Sequence, residues 1–521
     1  MSALNEVVAP VEAPDASAVL APEAGRRSLK QNMAALGAGQ LFTWTMTLSW
    51  MLVVPRLLGD REMGLIITGM AIANILQLLL GAGTANYLTR EIVVSPERSA
   101  RLVTGATLGR LALFPLFAIA TFAWSRVAGY GADENVVLYL CSAATAVTLL
   151  SEPILSYFQA TERMHYMALG NVINKTSQGL CGIVLALLGF GALGFAWCWV
   201  VTAALVVVLA IRWVGQYLDV RWRTNWQDIR MIARGSAIYW TGGVFFTIYA
   251  WIDTAMLSVM ASPKVVGWYG VPMRLWGTML VIPSIFSTAW LPRMVQAHQR
   301  SNDELITVTR APIQLVFVMS LPIATLVAIG ASPVIHLVYG AGYVHAIPVL
   351  IILGLNLIPM YLNIMLAQIC IAAKRFRTWT WLMVGACLFN PAINLALIPL
   401  TQSRYGNGAI GAAVALALTE VAIAGAAIFI VGRRIVGRST LTRGLRMAVA
   451  CGAAWFVSYL LRHTGLIPPM VAGCIALAVL VPVCGGITVQ ERAQALEEVR
   501  SIFSKVSGRL TRLRKPSGDI S

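Results

Sequence analysis

Between residues 33 and 488 the chain returns about fourteen times to an apolar run of some twenty residues, broken by short polar or basic links. Twenty residues of helix rise about 30 Å, the thickness of a bilayer's hydrocarbon core. Backbone facing lipid must bond to itself, so helices are the expected form. The runs lack the two-residue alternation of membrane-barrel strands. Composition bears on the same choice: 58% of residues are hydrophobic and 12% charged. A soluble fold of this size could not cover its surface with so few charges. A disordered chain, a disulfide-stapled secreted domain and most soluble enzymes are thereby excluded. The eight cysteines lie in apolar segments without CxxC spacing, and the five histidines are scattered. No disulfide, metal site or cofactor is expected.

Spans are read at 33–54, 64–89, 103–127, 136–159, 166–190, 192–214, 236–259, 266–291, 312–330, 346–371, 379–400, 409–432, 444–461 and 467–488. The expected fold is an all-α integral membrane protein of about fourteen transmembrane helices. Residues 1–29 read as a disordered tail, being rich in Ala, Pro, Val and Glu with no signal-peptide core. Residues 489–521 carry apolar positions at three- and four-residue spacing opposite basic ones, the pattern of an amphipathic helix on an anionic leaflet.

The basic residues fix an expected orientation. With the amino terminus inside, 30 of the 39 Lys and Arg fall in inside segments, 6 in outside ones and 3 within spans. Positive residues accumulate on the cytoplasmic side. Both termini are therefore expected in the cytoplasm, with the chain in a bacterial inner membrane. The net charge of +17 then reflects topology, and nucleic acid is not an expected partner. The outside loops are too short to house a catalytic domain, which counts against a membrane glycosyltransferase or polymerase.

The sequence also repeats itself. Gly64 and Gly267, Leu88 and Leu291, and Arg90 and Arg293 are each 203 residues apart, and Tyr87 matches Trp290 at the same offset. Gly191-Ala192-Leu193-Gly194-Phe195-Ala196 recurs as Gly408-Ala409-Ile410-Gly411-Ala412-Ala413, and Arg163-Met164 as Arg375-Phe376. Six spans per repeat is even, so both halves enter the membrane the same way, as parallel repeats do. The expected organisation is a first lobe at 30–214, a linker at 215–235, a second lobe at 236–434, and two added spans at 435–488.

Val54-Pro55-Arg56-Leu57-Leu58-Gly59-Asp60-Arg61-Glu62-Met63-Gly64 resembles the RxLGxxxxG element of bacterial polysaccharide flippases, and Leu88-Thr89-Arg90-Glu91 resembles their closing of span 2. Ile252-Asp253-Thr254-Ala255-Met256-Leu257, Val266-Gly267-Trp268-Tyr269, Met273-Arg274-Leu275, Gly340-Ala341-Gly342-Tyr343, Asn390 with Asn394, and Gly411-Ala412-Ala413 follow in the same family's order. That family belongs to the multidrug/oligosaccharidyl-lipid/polysaccharide exporter superfamily. The resemblance implies a flippase moving an undecaprenyl-diphosphate-linked oligosaccharide across the cytoplasmic membrane. It implies a lipid-linked saccharide as cargo and membrane lipids as surroundings, with a polysaccharide polymerase and a chain-length regulator as candidate partners. An ion-coupled multidrug antiporter shares the architecture and is the second reading; a membrane glycosyltransferase or polymerase is the third.

Six ionisable residues fall at membrane depth: Arg110, Glu152, Lys175, Asp253, Arg274 and Glu420. Such residues are costly in hydrocarbon and mark pathways or buried pairs. Depth along the helices suggests two pairs, Asp253 with Arg274 and Glu152 with Lys175. Each could be a neutral structural bridge or part of a site. A diphosphate cargo needs fixed cations to offset its lost hydration, so Arg110, Lys175 and Arg274 are the first candidates for binding. Asn171, Asn174, Lys175 and Gln178 share a face of span 5. Gln40, Thr43 and Thr47 share one of span 1. Asn356 and Asn363 on span 10, and Asn390 and Asn394 on span 11, lie at helical spacing. Such amides line a polar cavity or join helices. Most of the sixteen tryptophans lie near span ends, where interfacial anchoring is expected, but Trp276 and Trp251 are candidates for stacking on sugar. Pro115, Pro153, Pro283, Pro322, Pro359 and Pro391 are expected kinks. No nucleotide-binding loop is present, so transport would draw on a gradient or the membrane potential. Asp253, Glu152 and Glu420 are candidate sites for a coupling H+ or Na+.

Overall fold

The computed structural model describes residues 29–81, 83–219 and 224–484. The tail expected at 1–29 lies outside them but for Leu29, as do the amphipathic helix expected over 489–521 and the side chain of Gln40. Among the described residues there are fifteen α-helices and no strand. They are α1 (Leu29–Leu76), α2 (Thr84–Val94), α3 (Ser99–Ala128), α4 (Ala132–Ala160), α5 (Met164–Leu187), α6 (Gly191–Val214), α7 (Trp226–Met260), α8 (Pro263–Met279), α9 (Val281–Arg300), α10 (Asn302–Val334), α11 (Ile347–Ala372), α12 (Phe376–Tyr405), α13 (Gly408–Val431), α14 (Arg438–Leu460) and α15 (Ile467–Val483).

Ten of the described stretches are long and apolar enough to cross a membrane. The expected fourteen spans differ from these for local reasons. Spans 1 and 2 run together in α1, which breaks at Gly59 with φ 79°, a backbone that favours glycine. Span 5 carries the polar face of α5, and α15 is only 17 residues long. The architecture is that of an all-α multi-pass membrane protein, with α1–α6 over the first lobe, α7–α13 over the second, and α14 and α15 appended.

Spans 2 and 8, partners in the sequence repeat, are each broken near mid-membrane. Span 2 ends its first helix in a 3-10 turn, Gln77–Leu80, followed by Gly81 and Gly83 with φ of 96° and 86°. Span 8 divides into α8 and α9 at Leu280, just before Pro283, which cannot donate to the carbonyl of Met279. A broken helix at this depth persists only if freed backbone groups find partners. Trp240 Nε1 donates to Leu78 O at 3.0 Å, and Tyr361 Oη to Met279 O at 2.8 Å. The two repeats thus share one device at corresponding places.

The second lobe begins differently from expectation. Residues 226–235, read in the sequence as linker, are already helical, and α7 extends without a break to Met260. Its first turns pack on the first lobe. Arg101 Nη2 bonds both Asp228 oxygens at 2.9 and 3.1 Å, Ile232 faces Gly105, and Gly235 sits against Tyr87. Its later turns pack on α12 and α13. Helices α14 and α15 pack on each other and on α10, with Gly444 against Phe317 and Gly473 against Ile329.

The lobes meet tightly at one end. Tyr343 Oη donates to Pro55 O at 3.2 Å, Arg56 Nη1 to Leu337 O at 2.7 Å, and Trp268 Nε1 to Asp60 Oδ2 at 3.0 Å. Tyr130 and Ser258 share a 2.6 Å hydrogen bond across the same seam. Arg61 reaches Asp133 at 2.8 Å within the first lobe; this raises its guanidinium pKa. Gly64 and Gly267 bring α1 and α8 into backbone contact. A Cβ on Gly64 would lie 1.8 Å from the Pro263 carbonyl oxygen, and one on Gly267 2.2 Å from that of Asp60. Asp60 and Pro263 are themselves 203 residues apart, so the contact is two-fold symmetric. At the arginine-rich end, α9 packs on α8, α10 and α11 and, among the described residues, makes no substantial contact with the first lobe.

Candidate functional site between the lobes

The site lies where α1 and α5 of the first lobe approach α8 of the second. Met46, Thr47, Trp50, Met70, Lys175, Gln178, Gly179 and Arg274 line a small pocket of about 50 Å³. Arg274 enters from α8. Its guanidinium carbon sits 4.2 Å from the centre of the Trp50 ring, and Nη2 lies 3.2 Å from Met70 Sδ. Lys175 enters from α5, next to Gln178, whose amide donates to Asn174 Oδ1 at 2.6 Å. Among the described residues, neither cation is in an ion pair.

Neither pairing suggested by depth occurs. Arg274 does not meet Asp253, and Lys175 does not meet Glu152. Glu152 instead pairs with Arg110, which also donates to Leu149 O. Helices α3 and α4 are neighbours, and each residue lies seven positions from the arginine-rich end of its span, so this pairing had a signal in the sequence. Arg110 is 3% exposed and held by α4, away from the pocket residues. The physical reason for the mismatch is lateral. Equal depth places two side chains on one plane but does not turn them toward each other.

The carboxylates gather inside the second lobe. Asp253 Oδ1 accepts from Asn394 Nδ2 at 2.6 Å, and Oδ2 accepts from Tyr269 Oη at 3.3 Å. Asn394 also donates to Asn390 Oδ1 at 2.9 Å. Glu420 accepts from Tyr249 Oη and from Asn363 Nδ2, both at 2.6 Å, and Asn363 also reaches Glu420 O at 2.9 Å. All five amide and acid residues are buried. Buried carboxylates are stable only with such donors around them. Several polar atoms in the cluster keep no partner: Asn390 Nδ2, Asn394 Oδ1 and Asn363 Oδ1. Nearby Asn356 is without partners at both amide atoms. Positive charge therefore lines the space between lobes, and negative charge is buried within one of them.

Residues 29–298 match the profile of a family described as polysaccharide biosynthesis protein. The chain belongs to this polysaccharide biosynthesis family. A search among curated proteins gave no match. Solved structures share its fold, three of them as follows. The lipid II flippase MurJ, in an inward closed conformation, is 12% identical with a TM-score of 0.66 over 87% of this chain and 98% of that one. An inward-facing multidrug resistance MATE transporter of the MOP superfamily is 14% identical, with a TM-score of 0.60 over 78% and 98%. A MOP superfamily transporter from Pyrococcus furiosus, noted for reverse polarity of its binding pocket, is 14% identical with a TM-score of 0.50 over 78% and 96%.

Within this family member, the RxLGxxxxG-like element becomes legible in physical terms. Arg56 ties the lobes through Leu337 O, Gly59 supplies the positive φ that breaks α1, and Gly64 admits the backbone of α8. Of the other sequence candidates, Asn171 is exposed on α5 and Trp276 is buried with its indole N–H unpaired. Sequence reasoning missed Trp50, Met70, Tyr249 and Tyr269. Tyr249 carried a signal, lying four residues before Asp253 on the same helical face. Trp50 carried a misleading one, since its place near a span end suggested an interfacial anchor.

Proposed function

We propose that the chain is a transporter, not an enzyme, and that it flips an undecaprenyl-diphosphate-linked oligosaccharide across the bacterial cytoplasmic membrane. One observation carries the reading: Arg274 and Lys175, one from each lobe, line a single pocket without a carboxylate partner. A diphosphate leaving water needs fixed cations to replace its hydration. An arginine fork offers paired donors to phosphate oxygens, and a lysine adds a mobile point charge. Asn171, Asn174 and Gln178 supply amides for saccharide hydroxyls on the same helix. The lobes rock about the pocket, sealed at the Gly64–Gly267 end and, at the arginine-rich end, joined through the first turns of α7 while α9 stands apart from the first lobe; that end faces the cytoplasm with both termini. Asp253 and Glu420 are the coupling candidates, for H+ or Na+; Arg110 and Glu152 hold the first lobe together.

A second reading, an ion-coupled multidrug antiporter, draws on the buried Asp253 and Glu420 alone. Reconstitution separates the two. Purified protein in liposomes should transfer fluorescent undecaprenyl-diphosphate-linked sugar between leaflets. Arg274→Gln and Lys175→Gln should each slow transfer by about 10- to 100-fold, the weight of a hydrogen bond to a charged group. Liposomes that expel cationic dyes on an ion gradient, yet leave the lipid-linked sugar in place, would establish the second reading instead.

A further inference from the structure

We propose that Trp50 is a positioning residue that keeps the Arg274 charge free for the anionic head group; this rests on the flippase reading above. Cations at membrane depth are usually met by carboxylates. A carboxylate would compete with the cargo's phosphate for the guanidinium donors. Trp50 meets Arg274 with the face of its ring instead, at 4.2 Å. A ring face attracts the cation through its quadrupole and, unlike a carboxylate, presents no oxygen to take up the N–H donors. The N–H donors lie in the guanidinium plane, and among the described residues only Nη2 has a partner, the weakly accepting Met70 sulfur.

The ring is braced for this task. Trp50 is 5% exposed. Phe195 of α6 packs behind it with ring centres 5.8 Å apart, tilted at 42°. Gly182 of α5 leaves the room both rings occupy, since a Cβ there would come 3.1 Å from Phe195 and 3.6 Å from Trp50. The Trp50 indole N–H is buried without an acceptor. Trp50 and Met70 belong to the first lobe and Arg274 to the second. The stack therefore exists only while the lobes are close at this level, and parting them releases the arginine together with its cargo.

The test measures binding of undecaprenyl diphosphate to the purified full chain in nanodiscs, with folding followed by gel filtration and thermal unfolding. Trp50→Leu should weaken binding by about 2- to 30-fold, the range of a cation–π contact. Trp50→Phe, which keeps a ring face, should recover most of that loss. In an Arg274→Gln background, Trp50→Leu should have no further effect. Should Trp50→Leu fail to insert, Trp50→Met carries the same comparison. Additive losses, or Trp50→Phe binding as poorly as Trp50→Leu, would overturn the positioning role while leaving the flippase reading intact. Unchanged binding in Arg274→Gln alone would overturn both, because no charge would then need positioning.

Discussion

Adding one methyl group at Gly64 should open the sealed end of the molecule. The neighbour is backbone, not a side chain that can swing away. The Pro263 carbonyl oxygen would lie 1.8 Å from the new Cβ, and ordinary contact begins near 3.4 Å, so α1 and α8 must part by about 1.5 Å. Gly267→Ala, at 2.2 Å from the Asp60 carbonyl, demands about 1 Å. Overpacking of this kind costs about 1–3 kcal/mol. Parting the lobes relieves it, at the loss of four inter-lobe hydrogen bonds, to Pro55, Asp60 and Leu337 and between Tyr130 and Ser258. Each contributes only about 0.5–1.5 kcal/mol net, because water replaces it. A bias of 1–3 kcal/mol shifts a two-state equilibrium roughly 5- to 150-fold.

Spin labels at Ala132→Cys and Lys264→Cys, exposed positions at the sealed end on opposite lobes, would read the separation by pulsed electron resonance in a background without reactive native cysteines. Gly64→Ala should raise the long-distance population, and Gly267→Ala should do so less. Gly277→Ala is the control, since a Cβ there meets nothing within 4 Å on the same helix. Identical distance distributions in Gly64→Ala and wild type would refute the reasoning.

Two further outcomes are expected. Glu152→Gln should lower stability by about 2 kcal/mol, less than the ~3–5 of a fully buried broken pair because Glu152 is 41% exposed; thermal unfolding in detergent should show the drop, and Arg110→Met with Glu152→Leu should reverse most of it. A reporter enzyme active only outside the cytoplasm should give signal when fused within 260–264 and none within 215–234, and the opposite pattern would invert the proposed orientation.

The membrane-spanning architecture was legible because apolar length and the self-bonded backbone leave helices few rivals. Breaks in those helices were partly legible. Pro283 announced one, but Gly81 and Gly83 gave a break that apolar residues on either side concealed. The repeat was legible in Gly64 and Gly267, which turned out to touch. The charges were not. Sequence gives depth, and depth matched Asp253 to Arg274. What decides partnership is the direction each side chain faces. Asp253 turns toward Asn394 on α12, and Arg274 turns toward Trp50 on α1. Periodicity could not supply this for helices buried on several sides, where apolar residues occur all round.

The separate features meet on α8, a single 17-residue helix. Gly267 makes the seal, Tyr269 donates to Asp253 of the acidic cluster, and Arg274 faces the pocket. Seven residues separate Gly267 from Arg274, two turns or about 10 Å of helix. A packed helix of this length moves as a rigid unit, so displacement at the seal is carried to the pocket with little loss. The Tyr269 hydroxyl ties the same unit to Asp253, so a change of charge on that carboxylate alters what holds α8 in place. On the proposed reading, protonating Asp253, or placing a cation against it, would weaken its claim on the tyrosine proton and free the helix to shift. Coupling between such an ion and cargo between the lobes would then need no long chain of contacts, only one helix, held at three points, whose position both ligands would bias.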